Sequence, residues 1–206
     1  MLQPGRSDVA GRFTWIRRLR PLAVAALSLM LAPNVPGVMA QTAPSVQAPA
    51  PNSDPFGEDV VLAGKPIVFI SGKATWDSAF PTLKEKFTAL ARFLDAQKLK
   101  AAGPMMTIYT SVYNEGFTFQ AAVPLDEQPA NLPRGIVTAG QSPVGKALKF
   151  FYRGSYDAMD MFYESITNFL DEKRIERQGL FVEEYVTNPL TTPEEKLQVN
   201  VFVLVK

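Results

Sequence analysis

Ile67-Val68-Phe69-Ile70-Ser71-Gly72 and Leu148-Lys149-Phe150-Phe151-Tyr152-Arg153-Gly154 are two apolar strands that each end in a glycine. Each opens the same succession of elements: strand, helix, strand, strand. One pass covers residues 66–124, the other 146–206, and the Pro- and Gly-punctuated stretch 125–145 reads as the linker between them. Internal duplication of a small unit builds a two-fold arrangement with a groove where the copies meet. The fold class expected is therefore α+β: duplicated βαββ units forming an antiparallel sheet, two main helices on one face, and a pseudo-two-fold ligand cleft.

The helices are legible from periodicity. Phe80, Leu83, Phe87, Leu90 and Leu94 recur at three, four, three and four, while Lys84, Glu85, Lys86, Arg92 and Asp95 fall mostly off that stripe. Ser78 or Asp77 is the expected cap, Pro81 fits only in the first turn, and Gly103-Pro104 is the expected stop. The second helix shows Met159, Phe162, Ile166 and Phe169, with Asp157 as cap and Gly179 closing the region. Two strands follow each helix. They are Met105 to Tyr113 and Phe117 to Val123, joined by Asn114-Glu115-Gly116, and then Leu180 to Thr187 and Leu197 to Val205.

Ahead of the repeats, Arg12, Arg17, Arg18 and Arg20 precede the apolar run Leu22 to Ala32, and Val38-Met39-Ala40 offers a small-x-small cleavage site. Residues 1–40 thus read as an export signal, which places the mature chain in the periplasm or outside the cell. Arg17-Arg18 is a twin-arginine pair in a context that fits that motif poorly, so the export route stays open. The apolar run is shorter than the roughly 20 residues a membrane span needs, and no stable span is expected after cleavage. Residues 41–64, rich in Ala, Pro, Ser and Gln, read as a flexible tether. The alternative is an arm that packs through Phe56 and Val60-Val61-Leu62.

Composition excludes several classes of chemistry. Without the leader's five Arg and one Asp, the chain keeps 21 − 5 = 16 basic and 20 − 1 = 19 acidic residues. A net of −3 with no basic run argues against a nucleic-acid partner. The chain has no Cys and no His. Disulfides, imidazole or thiolate metal sites, and Ser-His-Asp or Cys-His nucleophiles are therefore all excluded. No metal and no cofactor is expected.

In Phe181-Val182-Glu183-Glu184-Tyr185, strand alternation puts Phe181, Glu183 and Tyr185 on one face. A carboxylate between two aromatics either sits in water at the sheet rim or lines a cavity and binds a cation or proton donor. Alternation alone favours the rim. Aligning Gly103 with Gly179 sets Thr107 opposite Glu183 and Tyr109 opposite Tyr185, so a groove on the two-fold receives tyrosines from both halves and a carboxylate from one. Aromatic faces with a carboxylate suit an amphiphilic cation. Trp76 and Tyr156, just beyond the glycines that end each first strand, could form part of its rim.

The second copy resembles the GyrI-like, or effector-binding, domain family, small-molecule modules that occur alone and at the C-terminus of multidrug-responsive regulators. The resemblance rests on Phe151-Tyr152-Arg153-Gly154-Ser155-Tyr156, on Glu183-Glu184-Tyr185-Val186-Thr187-Asn188-Pro189 and on Thr192-Pro193-Glu194-Glu195, through to Val205. It covers about sixty residues well and the first copy more loosely. It implies a duplicated βαββ fold whose cleft receives Glu183 and Tyr185 from a Glu-x-Tyr motif. An Arg-Gly pair departs from the family's frequent His-x-Gly, and no DNA-binding segment accompanies the repeats, so a transcriptional role is not carried over. The leading expectation is an exported, non-catalytic receptor for a hydrophobic, cationic or amphiphilic small molecule. Its ligand-binding residues would be Glu183, Tyr185, Tyr109, Trp76 and Tyr156. Two alternatives stand beside it: a small hydrolase of strained electrophiles with Glu183 as general acid or base, and an envelope protein-interaction module.

Overall fold

A computed structural model describes residues 56–206. The export-signal reading of 1–40 and the tether reading of 41–55 lie outside the described residues. The first repeat comprises β2 (Pro66–Thr75), α1 (Ala79–Gln97), β3 (Met106–Tyr113) and β4 (Gly116–Pro124). The second comprises β6 (Val144–Gly154), α2 (Met159–Lys173), β7 (Arg177–Tyr185) and β8 (Leu197–Val205). Two strands absent from the sequence reading complete the sheet. β1 (Glu58–Ala63) falls where composition indicates a tether, and β5 (Thr138–Gln141) falls inside the linker. Both are short edge strands whose weak apolar signal is supplemented by backbone pairing to a neighbour already in place. The arm reading describes this end better: Phe56 packs edge-on against Phe150, Phe162 and Phe169.

All eight strands form one sheet in the order β1-β6-β8-β7-β3-β4-β2-β5. Within it, β6-β8-β7 and β2-β4-β3 are the same motif turned by a two-fold, and antiparallel β3 and β7 join them, with Thr107 directly across from Glu183. The extra strands are exchanged, β1 pairing with β6 of the second repeat and β5 with β2 of the first. Only Gly64 and Lys65 separate β1 from β2, and only Ser142 and Pro143 separate β5 from β6. Such connections span about 11 Å, so the two ends of the strand order must come together and the antiparallel sheet curls. The connections then bond each other: Lys65 N–H donates to Ser142 Oγ, and Ser142 N–H donates to the Lys65 carbonyl, both at 2.9 Å.

Both helices lie on one face of the sheet. Phe80, Leu83 and Phe87 of α1, with Met159, Ile166 and Phe169 of α2, share a cluster with Phe117, Phe119, Phe150, Phe181 and Tyr185. Each such fully buried apolar side chain contributes about 1.5–3 kcal/mol. The opposite face buries Ile67, Met106, Ile108, Val182, Phe202 and Leu204, with Val60, Leu62 and Phe69 packed against them. Alternation along β7 therefore separates Val182 from Glu183 as the sequence requires.

The helix ends differ from the sequence reading. α1 stops at Gln97, well before Gly103, and α2 stops at Lys173, before Gly179. Each closes on a residue in the left-handed conformation, Lys98 (φ 55°) and Arg174 (φ 56°). The two caps make the same bonds: Lys98 N–H to Asp95 O and Leu99 N–H to Leu94 O, then Arg174 N–H to Asp171 O and Ile175 N–H to Leu170 O. Paired cap bonds of this kind satisfy carbonyls that a helix end leaves open, so glycine is not required there. Gly179 instead takes φ 84° inside β7, where the pairing with β8 shifts register. Neither helix uses the expected side-chain cap; a 3₁₀ turn precedes each, Trp76–Ser78 and Tyr156–Ala158. α1 has 19 residues against 15 in α2, which accounts for most of the drift between copies; a longer path from Gly72 to α1 than from Gly154 to α2 accounts for the rest. Among the described residues, no helix is long and apolar enough to cross a membrane.

Candidate functional site

Glu183 lies in the middle of β7, which pairs with β8 on one side and β3 on the other. Its side chain is 0% exposed, as is that of Thr107 across the two-fold. The solvated-rim reading of Glu183 is thereby corrected: joining the repeats through β3 and β7 makes β7 a central strand, and the helices cover the face Glu183 occupies.

Among the described residues, every hydrogen-bond partner of this carboxylate is a tyrosine hydroxyl. Tyr109 and Tyr163 donate to Oε1 at 2.7 and 2.8 Å, and Tyr185 donates to Oε2 at 2.7 Å. The cluster extends to Tyr156, whose hydroxyl lies 3.3 Å from that of Tyr109, and to Thr107, whose Oγ1 lies 3.4 Å from that of Tyr185. Burial raises the Glu183 carboxyl above its ordinary range; the hydrogen bonds from Tyr185, Tyr109 and Tyr163 pull it down without cancelling that effect. Burial first, and then the negative charge of Glu183, hold all four tyrosines well above the usual phenol range. All four are thus neutral; among the described residues, Tyr109, Tyr163 and Tyr185 donate to the carboxylate and no Lys or Arg does.

This arrangement sets a pH dependence. The folded protein holds the Glu183 proton more tightly than the unfolded chain, whose carboxyl titrates near 4.5. The contribution of Glu183 to stability is fully present below that value, falls as pH rises through the raised folded value, and is level above it. Urea denaturation of the wild type and of Glu183→Gln, followed from pH 4 to 8, is expected to show that decline in the wild-type-minus-variant difference. A difference that stays flat across the range would mean the carboxyl is not raised.

Beside the tyrosine cluster lies a cavity of ≈ 70 Å³. Its aromatic wall consists of Trp76, Tyr109, Tyr156 and Tyr163; Ala79 and Met159 add apolar surface, and Asp157 and Asp160 complete the lining. Trp76 is held by its Nε1–H donating to the Asn114 carbonyl at 3.0 Å and packs on Phe117. Tyr156 stacks on Phe80 with ring centroids 4.6 Å apart. Of the residues singled out from sequence, Trp76, Tyr109 and Tyr156 line this cavity. Glu183 and Tyr185 stand behind the wall, with Tyr185 packed edge-on against Phe87.

Tyr163 escaped the sequence reading, although it both lines the cavity and holds Glu183. A signal existed: it stands four residues after Met159 and three before Ile166, on the same helical stripe. Its counterpart is Phe87, which stands at the same distance from its own helix cap. The repeats are thus polarised, Glu183 and Tyr163 from one answering Thr107 and Phe87 from the other.

A family profile described as the GyrI-like small molecule binding domain matches residues 60–206. No curated protein matches the chain in sequence. Among solved structures, the chain is similar to EcmrR in its complex with DNA, at 12% identity and a TM-score of 0.60, covering 73% of this chain and 58% of that one. It is similar to SAV2435 bound to tetraphenylphosphonium, at 13% identity and a TM-score of 0.53, over 73% and 93% of the two chains. A hydrolase from Listeria innocua aligns at 9% identity and a TM-score of 0.50, over 76% and 94%. At these identities the likeness concerns the fold alone.

Proposed function

The chain belongs to the GyrI-like small molecule binding domain family, and from that premise we propose that it captures a hydrophobic organic cation at the aromatic cavity beside Glu183. The observation that carries this reading is a fully buried carboxylate whose partners among the described residues are all neutral hydroxyls, behind a wall of aromatic rings. Such a charge is costly in a low-dielectric interior, and a cation against the tyrosine faces lowers that cost through charge attraction and cation–π contact. The similar fold of SAV2435, bound to tetraphenylphosphonium, supports the choice of ligand class. Export to the periplasm or exterior is part of the proposal and rests on the leader pattern; N-terminal sequencing of the protein recovered from outside the cytoplasm should find Gln41 first.

The hydrolytic alternative needs a water at Glu183. Both carboxylate oxygens already accept tyrosine hydroxyls, so the geometry favours capture. The interaction-module alternative needs a contiguous apolar patch. Large exposed apolar side chains instead lie apart in the chain, among them Val61 on β1, Ile136 ahead of β5, Phe151 on β6 and Met161 on α2.

A cation as large as tetraphenylphosphonium exceeds ≈ 70 Å³, so its binding requires the cavity to widen. Thermal denaturation with tetraphenylphosphonium or with neutral triphenylphosphine oxide tests the proposal. Ligand at a hundred times its Kd adds about 2.7 kcal/mol of stability, so a clear rise in Tm is expected with the cation only. Equal shifts with both compounds, or none with either, would sink the cation reading.

A further inference from the structure

We infer that the site exchanges ions one for one: the organic cation enters as the Glu183 carboxyl gives up a proton, so capture strengthens as pH rises and the ligand is let go in acid. The inference rests on the capture reading above and gives a second role to the hydroxyls around Glu183. Three features of that cluster carry it.

First, Glu183 is 0% exposed and, among the described residues, is hydrogen-bonded by Tyr109, Tyr163 and Tyr185 alone. A negative charge buried without a counter-ion is costly, and either a proton or an adjacent cation removes that cost. Proton and ligand therefore compete for the same charge. Second, the elements packed around the carboxylate supply no cation to it. β8 sets Val201 across from it, and β3 sets Thr107 across from it on the other side. α1 brings Phe80, Leu83 and Phe87 to the cluster, while its Lys84 ammonium lies over the Phe80 ring at 4.5 Å. The remaining charged groups on this side are acidic: Asp157 and Asp160 line the cavity, and the charge of Glu194 acts on the Tyr156 hydroxyl.

Third, the cluster can bond either form of the carboxyl. A hydroxyl donates one hydrogen bond and also accepts. Three tyrosines donate to the ionised carboxylate. When one oxygen carries a proton and donates, the tyrosine facing it must accept and turn its own hydrogen elsewhere. Each oxygen has a tyrosine with such a second partner. Tyr185, on Oε2, has Thr107 Oγ1 at 3.4 Å, and Tyr109, on Oε1, has the Tyr156 hydroxyl at 3.3 Å. Thr107 is itself 0% exposed, so this buried hydroxyl is placed to serve Tyr185. In the exchange the carboxyl O–H bond breaks and its electron pair stays on the carboxylate. The proton reaches solvent through the hydroxyls of Tyr109 and Tyr156, both on the cavity wall.

Tetraphenylphosphonium has a permanent charge and no titratable group, so any proton exchanged on binding belongs to the protein. Calorimetric titration of the full chain from pH 4 to 8, in two buffers of different ionisation enthalpy, reads affinity and proton count together. Wild-type affinity is expected to fall by up to about tenfold per pH unit below the folded carboxyl value, with close to one proton released per cation, and to level off above it. Glu183→Gln keeps Asp157, Asp160 and Glu194, and should lose both the slope and the proton. Thr107→Val/Tyr156→Phe removes both second partners, which penalises the neutral carboxyl. Its midpoint is expected about half a pH unit lower or more, whatever its plateau affinity. A wild-type affinity level across the range with no proton exchanged, or a slope that survives in Glu183→Gln, overturns the exchange and leaves the capture reading standing. An unmoved midpoint in the double variant overturns the part given to Thr107 and Tyr156. No binding to folded wild type at any pH removes the capture reading, and the exchange falls with it.

Discussion

Glu183→Gln is expected to weaken tetraphenylphosphonium binding by a factor of thirty or more, with triphenylphosphine oxide as the neutral control. Losing one partner of a buried charge pair typically costs about 2–5 kcal/mol, and 2 kcal/mol already corresponds to about thirtyfold. The substitution is close to isosteric, so the cavity wall of Trp76, Tyr109, Tyr156 and Tyr163 keeps its shape. One amide oxygen replaces two carboxylate oxygens as acceptors. Tyr109 and Tyr163 continue to donate to the oxygen, while Tyr185 turns to Thr107 Oγ1, already 3.4 Å away. Relief of the buried charge offsets the weaker bonds, so stability at neutral pH should change little. That separation is what makes the experiment informative. A variant that folds as the wild type does yet binds the cation equally well would show that Glu183 is a structural acceptor for three tyrosines and that the cavity does not use its charge.

The sequence made the repeats legible because each is built from local signals. A helical stripe, an apolar strand and a turn each declare themselves within a few residues, and Thr107 does pair with Glu183 as the alignment of Gly103 with Gly179 implies. β1 and β5 were hidden because they are short, and because each is completed by pairing with a strand of the other repeat, information that no local window holds. The helix ends were misplaced for a related reason. Lys98 and Arg174 adopt the left-handed conformation that a reader assigns to glycine, and backbone bonds to the preceding turn hold them there.

At the site, alternation placed Glu183, Phe181 and Tyr185 on one face but left open whether that face was wet. The answer lay in the β3–β7 join, which turns an apparent rim into the centre of the sheet. Tyr163 reaches Glu183 only through the packing of α2 across the sheet, a contact between elements far apart in the chain. The duplication also explains why a single charged site results. The two-fold passes between Thr107 and Glu183, so two carboxylates there would face each other directly. Like charges opposed in a sheet destabilise it, and one repeat carries the acid while the other carries Thr107.

Phe117→Ala should be the most damaging single truncation around the site, costing about 3–5 kcal/mol. Phe117 is 0% exposed and follows Gly116 at the start of β4, beside the hairpin. Its ring touches three others, with centroids 5.0 Å from Trp76, 4.9 Å from Tyr109 and 5.5 Å from Phe119. Truncation leaves an apolar void whose rim is stiff sheet, so little collapse can refill it. At about 2–4 °C per kcal/mol for a domain of this size, Tm should fall by about 6–20 °C. Two of the three rings released, Trp76 and Tyr109, line the cavity, and Tyr109 also donates to Glu183. Loss of support should therefore appear as weaker cation binding beyond what the fraction folded explains, measured below the variant's own melting range. Phe151→Ala supplies the contrast: at 54% exposure its truncation should cost no more than about 0.5 kcal/mol and leave binding intact. If Phe117→Ala lost stability and yet bound the cation as tightly as wild type, Trp76 and Tyr109 would not depend on Phe117 for position, and the aromatic wall would have to be held from the helix side, through Phe80 and Tyr156.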